Sequence, residues 1–196
     1  MKTVSIINLK GGVAKTISAV TVGYILAAER GYKVLLVDND KQGNASKMLG
    51  KHSYERSGIE HIMTERLPNM AAVIQKTGDE GLDIISANMT LIEANASVMI
   101  DQKRPQHDRI RKALARVADR YDFCIIDNAP DINISTVNAL VASDYVMIPV
   151  TIDDFALDGL QELMEQVENT REDMNTELVM LGCFTTQYIK REAPDQ

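Results

Sequence analysis

Apolar positions along the chain follow two rhythms, short β-branched runs and longer stretches with an apolar residue every three or four places. Thr3 to Asn8 reads as a strand. Thr16 to Arg30 reads as a helix with Ala19, Val22, Ile25 and Leu26 on one face and Gly31 as its C-terminal cap. Lys33 to Asp38 predicts a second strand, and further strands are expected at Leu82 to Ser86, Phe123 to Asp127, Tyr145 to Val150 and Leu178 to Thr185. Helices are expected at Leu91 to Ile100, His107 to Arg120, Ile132 to Val141 and Ala156 to Arg171.

The alternation of strand and helix is the mark of parallel βαβ units, so the expected fold is α/β, a doubly wound, mostly parallel sheet with helices on both faces. Four strand centres, Val34 to Val37, Cys124 to Ile126, Val146 to Ile148 and Leu178 to Leu181, are nearly continuous apolar runs, as strands covered on both faces should be. Gly43 to Gly81 is less regular and richer in charge, and it predicts small helices over one sheet edge. No repeat or linker divides the chain, and its 196 residues fit one domain, 1–196.

Composition narrows the function. The formal charge of -7 excludes a whole-molecule polyanion binder and leaves only local basic patches for nucleic acid. Cys124 and Cys183 lie far apart inside apolar runs, which predicts neither a structural disulfide nor a CxxC metal clasp. His52, His61 and His107 lack metal-ligand spacing. The N-terminus opens directly into a strand and no apolar stretch reaches the roughly 20 residues that span a bilayer, so a cytoplasmic protein is expected.

The strongest chemical signal is Ile6-Ile-Asn-Leu-Lys-Gly-Gly-Val-Ala-Lys-Thr16, between a predicted strand and a predicted helix. Gly11 and Gly12 let backbone amides curl around phosphate without Cβ obstruction. The helix N-terminus adds partial positive charge, Lys15 adds a full one, and the Thr16 hydroxyl is placed to ligate Mg²⁺. Two further segments end apolar strands in carboxylates, Val37-Asp-Asn-Asp-Lys-Gln-Gly-Asn44 and Phe123-Cys-Ile-Ile-Asp-Asn-Ala-Pro130. Asp38, Asp40 and Asp127 thereby reach the crevice at the carboxyl ends of the sheet.

The spelling KGGxxK[ST], with a second lysine at Lys10, resembles the deviant Walker A motif of the ParA/MinD superfamily, closest to ParA-type (Soj-like) partition ATPases. The resemblance runs from about Val4 to Tyr188. It implies a P-loop NTPase fold, ATP and Mg²⁺ as cofactors, and contact with the nucleotide through Lys10, Gly11, Gly12, Val13, Ala14, Lys15, Thr16 and Ile17. It implies that Lys10 reaches across a homodimer formed on ATP binding to the partner's phosphates, and that Asp40 positions the attacking water. Thr16, Asp38 and Asp127 take the magnesium roles, and Thr186 meets the adenine. The segment Pro149 to Leu160 resembles the family's strand-to-helix connection.

The implied function is weak ATP hydrolysis, stimulated by a ParB-like partner protein, in plasmid or chromosome segregation. Non-specific DNA is a candidate ligand and nucleoid association a candidate location. Departures from the pattern are Ala14 for glycine, Lys41 for proline and Ala129-Pro-Asp131 for Pro-Pro-Ser. Alanine at a left-handed backbone position costs about 1–2 kcal/mol. Family members usually continue past the last strand into helices that supply much of the DNA surface, so a chain ending at Gln196 is expected to be either a truncated form or a compact relative with its DNA contact elsewhere. Two alternatives share the fold: a MinD-like positioning ATPase, whose membrane helix the polar Lys190 to Gln196 tail does not supply, and an ATP-dependent amide-forming synthetase. Finally, Lys103, Arg104, Arg109, Arg111, Lys112, Arg116 and Arg120 form the densest basic stretch. Arg109, Lys112, Arg116 and Arg120 are expected on one helix face, a solvated back with Ile110, Leu114 and Val117 on the sheet, with a DNA or partner-protein contact as the alternative.

Overall fold

The computed structural model describes residues 1–151 and 156–187, with side chains throughout except at 156–158. Ile152 to Phe155 of the predicted strand-to-helix connection, and Tyr188 to Gln196 with the polar tail, lie outside the described residues. Among the described residues the strands are β1 (Lys2–Ile6), β2 (Val34–Asn39), β3 (Ile74–Lys76), β4 (Leu82–Ile85), β5 (Phe123–Asn128), β6 (Tyr145–Thr151) and β7 (Val179–Thr186). They form one sheet in the order β3-β4-β2-β5-β1-β6-β7, parallel except for the β3–β4 pair. From β1 the chain moves outward to β2 and β4, then returns to β5 and crosses β1 to reach β6. That reversal opens a crevice at the carboxyl ends of β1, β2 and β5.

The longer helices are α1 (Lys15–Tyr24), α5 (Leu91–Ile100), α7 (Ile134–Ala142) and α8 (Ala156–Asp173). Shorter ones are α2 (Asn44–Met48), α3 (Ile59–Thr64), α4 (Met70–Val73) and α6 (Arg109–Ala115). The predicted helix to Arg30 is continuous but widens after Tyr24 into a π-helical turn over Ile25–Glu29, in which the Arg30 amide donates to the Ile25 carbonyl at 3.1 Å. Gly31 closes it at φ +72.

Strand side chains alternate between two cores. Leu35, Val37, Cys124 and Ile126 pack under α3, α5, α6 and α7, whereas Val34, Leu36, Ile84 and Ile125 face α1 and α2. A third cluster, Ile7, Val146, Ile148, Leu163 and Val167, holds α8 on the sheet.

Three expectations need correction. β7 is not covered on both faces: it is the sheet edge, and Val179 and Leu181 are about half exposed, at 49% and 55%. An apolar run therefore does not by itself mean a doubly covered strand. The Gly43 to Gly81 stretch holds the expected small helices and also the antiparallel strand β3, which three residues of mixed polarity do not announce. The helix expected over His107 to Arg120 ends at Ala115 in successive turns, so Arg109 and Arg120 do not share a solvated face. Arg109 is buried, while Ile110, Leu114 and Val117 do face the core as expected.

Candidate functional site

The crevice is built from the ends of three adjacent strands. β1 leads into the glycine loop, which Asn8 fastens at its start. The Asn8 amide donates to the Pro149 carbonyl at 2.7 Å, and its Oδ1 accepts the Lys10 amide at 2.9 Å. Gly12 has φ +75, a conformation open to glycine, and Ala14 adopts φ +62. The left-handed turn at Ala14 starts α1, so the amides of the first helical turn point outward at the loop.

At the far side Gln187 donates to the Gly12 carbonyl at 2.7 Å, and the Thr186 hydroxyl lies 3.1 Å from the Val13 carbonyl and 3.3 Å from that of Val150. The polar end of β7 thus braces the loop. Val13 is buried, whereas Gly11, Gly12 and Ile17 are exposed.

Lys15 is buried, and its ammonium donates to the Lys10 carbonyl at 2.9 Å, which curls the loop around it. Burial lowers its pKa, while the carboxylates of Asp127, Asp40 and Asp131 pull it back up. Three acids of the crevice thus act on this one cation.

Asp38 and Asp127 are paired neighbours on β2 and β5 and both are fully buried. Asp38 accepts from the Ser46 amide at 2.8 Å and the Ser46 hydroxyl at 2.7 Å. Desolvation nonetheless raises its pKa to about 6, against the lowering effect of those hydrogen bonds. Neither oxygen of Asp127 makes a hydrogen bond of ordinary distance and angle among the described residues. Burial, and next the Asp38 charge, raise its pKa to about 8, with Thr16 and Lys15 as the opposing neighbours.

A buried carboxylate without partners is expensive unless a cation meets it. Among the described residues no three His, Cys, Asp or Glu side chains cluster as an all-protein metal cage. A hydroxyl beside one deep carboxylate suits Mg²⁺, which keeps waters and takes phosphate oxygens.

Asp40 stands at the crevice with its backbone fixed. Its amide donates to Asp38 Oδ1 at 3.2 Å, its Oδ1 accepts the Gln42 amide at 2.9 Å, and its carbonyl accepts the Gly43 amide at 2.8 Å. Lys41 reaches over to Asp131 at 3.2 Å, joining the β2 and β5 loops where the resembling family has proline. The structure thus brings Lys15, Thr16, Asp38, Asp40 and Asp127 together and sets Thr186 against the loop backbone.

Sequence reasoning missed Asn8, Ser46, Gln187 and the Asn39–Asn128 pair. Asn39 donates to Asn128 Oδ1 at 2.9 Å and to the Ser135 carbonyl at 3.0 Å, tying β2 to β5 and α7 beneath the acids. The one available signal was the placement of an asparagine directly after the acid of both strands.

A glycine loop joining the first strand to a helix, facing carboxylates from two neighbouring strands, defines a P-loop nucleotide-binding protein. Comparison with known proteins narrows that class. Residues 1–180 match the family described as AAA domain. The chain is 39% identical to the sporulation initiation inhibitor protein Soj of Bacillus subtilis over 193 residues, covering 97% of this chain and 74% of Soj. It is 36% identical to the chromosome partitioning protein ParA of Caulobacter vibrioides, covering 98% of this chain and 72% of the relative.

Among solved structures, cobyrinic acid a,c-diamide synthase of Mycobacterium smegmatis, with bound ATP analog and magnesium, superposes with a TM-score of 0.88. The identity is 28%, over 98% of this chain and 77% of that one. A plasmid partition protein of Borrelia burgdorferi gives a TM-score of 0.80 at 25% identity, over 97% and 80% of the two chains. The chain belongs to the AAA-domain family, within the ParA/MinD superfamily of deviant Walker A P-loop ATPases, and it is an ATPase of the Soj/ParA type.

Proposed function

We propose that this ATPase is a partition switch, an ATP-dependent homodimer that serves plasmid or chromosome segregation with a ParB-like partner protein. The observation that carries its nucleotide chemistry is Asp127, a fully buried carboxylate next to Thr16 and Lys15 whose oxygens make no hydrogen bond of ordinary distance and angle among the described residues. Amides of Gly11 to Ile17 would hold the phosphates, Lys15 would neutralise them, and Thr16 would hold Mg²⁺, which would supply charge stabilisation to the phosphates. Asp38 and Asp127 would support the bound ion from behind it. Asp40 orients the attacking water, and Lys10 acts on the phosphates of the facing subunit. Thr186 lines the adenine side while bracing the loop.

The names of the relatives support the partition role, and the ATP analog and magnesium in the synthase structure support the cofactors.

The synthase likeness also favours a second reading, amide formation on a small-molecule acid activated by ATP. It places all chemistry in one subunit. Lys10 then has no partner phosphate to serve, and turnover depends on the second substrate.

The site itself is tested with Lys15→Ala. In the wild type, MgATP at a hundred times its dissociation constant should add about 2.7 kcal/mol to stability, seen as a rise in melting temperature. The variant should show no such rise. A shift as large as that of the wild type would remove Lys15 from the phosphate site.

A further inference from the structure

The basic stretch that the nucleotide site does not use builds a groove of its own. A cavity of about 570 Å³ opens between the end of α3 with its following loop and the first turns of α6. Its walls carry Arg66, Lys103, Arg104, Arg109, Lys112 and Arg116 against two carboxylates, Glu65 and Asp108. Counting Asp101, which pairs with two of these guanidiniums, six cations face three carboxylates, a surplus of three positive charges on a protein whose formal charge is -7.

Three of these guanidiniums make the wall rigid. Arg104 donates to the Thr64 carbonyl at 2.6 Å, Arg109 to Met63 at 2.6 Å and Arg116 to Pro68 at 2.7 Å, so the loop after α3 is clamped in place. A carbonyl satisfies a donor without cancelling its charge. Asp101 compensates Arg104 and Arg109, and Asp108 compensates Lys112. Among the described residues no carboxylate lies within ion-pair distance of Arg66, Lys103 or Arg116. Apolar residues lie among the cations: Ile62, Pro68 and Ala113 line the cavity from buried positions, and Pro105 and Leu67 are exposed, Leu67 at 75%.

We infer that this groove is a docking site for an acidic peptide segment of a protein partner, one that places an apolar side chain between carboxylates. Charge complementarity selects the sign, and the apolar residues among the cations select the anchor. Nucleic acid fits the same surface less well. A phosphodiester backbone has no apolar group to bury against Leu67 and Pro105, and Glu65 and Asp108 repel a continuous run of phosphates while leaving room for separate carboxylates. The inference is independent of the partition reading, since no residue of the nucleotide site lines the groove.

The test pans a displayed library of random peptides against the full chain and counter-selects on Arg66→Glu/Lys103→Glu. Both residues are exposed, and an unchanged MgATP thermal shift checks that the variant is folded. Enriched peptides should carry carboxylates on either side of an apolar residue, and a synthesised one should bind the variant at least tenfold more weakly, about 1.4 kcal/mol. A Leu67→Ser variant should weaken the same peptide without changing its salt dependence. Absence of enrichment, peptides lacking carboxylates, or equal affinity for the charge-reversed variant overturns the inference. Random-sequence duplex DNA is titrated in parallel. DNA binding that competes with the peptide and is lost in the charge-reversed variant assigns the groove to nucleic acid instead.

Discussion

Ala14 shows how a single residue can be read in advance and still carry a cost. It stands where the resembling motif has glycine, and the structure holds it at φ +62, in the left-handed region. Its strain is about 1–2 kcal/mol, partly offset because alanine restricts the unfolded chain more than glycine does. Ala14→Gly should therefore stabilise the protein by about 1 kcal/mol in denaturant unfolding without nucleotide. A loss of stability would show that the loop geometry differs from the one described.

Asp127 makes a second residue-scale test through pH. With its pKa raised from 3.8 to about 8, it keeps a proton in the folded state where the unfolded chain has released it. The folded state then binds more protons, so stability falls as pH climbs from about 4 toward 8. Asp38, raised to about 6, acts the same way over the lower part of that window. Asp127→Asn should flatten the decline and melt above the wild type at pH near 8 without nucleotide, while losing most of the added stability from Mg²⁺ with ATP. Parallel melting curves at both ends of the window decide it. If the wild type is the more stable at high pH, the carboxylate is not desolvated as described.

At the scale of elements, the connection from β2 to α2 places Asp40. Gly43 turns the chain at φ +62, and a Cβ there would meet the Ala87 carbonyl at 2.5 Å and the His52 ring at 2.6 Å. Ser46, one turn later, holds Asp38 and also accepts the Ala87 amide at 2.9 Å. The turn is thus wedged against the end of β4. Gly43→Ala should cost about 2–4 kcal/mol and slow hydrolysis together, because the backbone that orients Asp40 must shift. Normal stability with normal turnover would show that the turn has room.

This element also shows what the sequence could and could not disclose. Five of the six parallel strands end within one residue of their expected ends, because buried parallel strands are written as apolar runs bounded by turn residues. The acids at the ends of β2 and β5 were legible for the same reason. Ser46 and Gln187 were not, since their roles depend on contacts with segments distant in sequence, and serine and glutamine are ordinary surface residues. Arg120 was misplaced because helical periodicity assumes that the helix continues, and here it unwinds after Ala115, whereas Arg109 was misread because the end of α3 packs over the first turn of α6. The buried guanidinium finds backbone carbonyls of the α3 end that no periodicity predicts.

At the scale of the molecule, the central claim is that ATP joins two copies and that Lys10 completes the facing site. A charge acting across an interface is felt only when two loaded subunits meet, which separates this account from a one-subunit synthase. The most direct measurement is sedimentation with and without MgATP in the Asp40→Ala background, expected to bind ATP without hydrolysing it, compared with the same protein carrying Lys10→Ala. The account predicts a dimer with ATP and a monomer without it for Asp40→Ala, and a monomer in both conditions once Lys10 is removed, with nucleotide binding intact. A dimer that forms equally well without Lys10, or a monomer that stays monomeric with bound ATP, would contradict it.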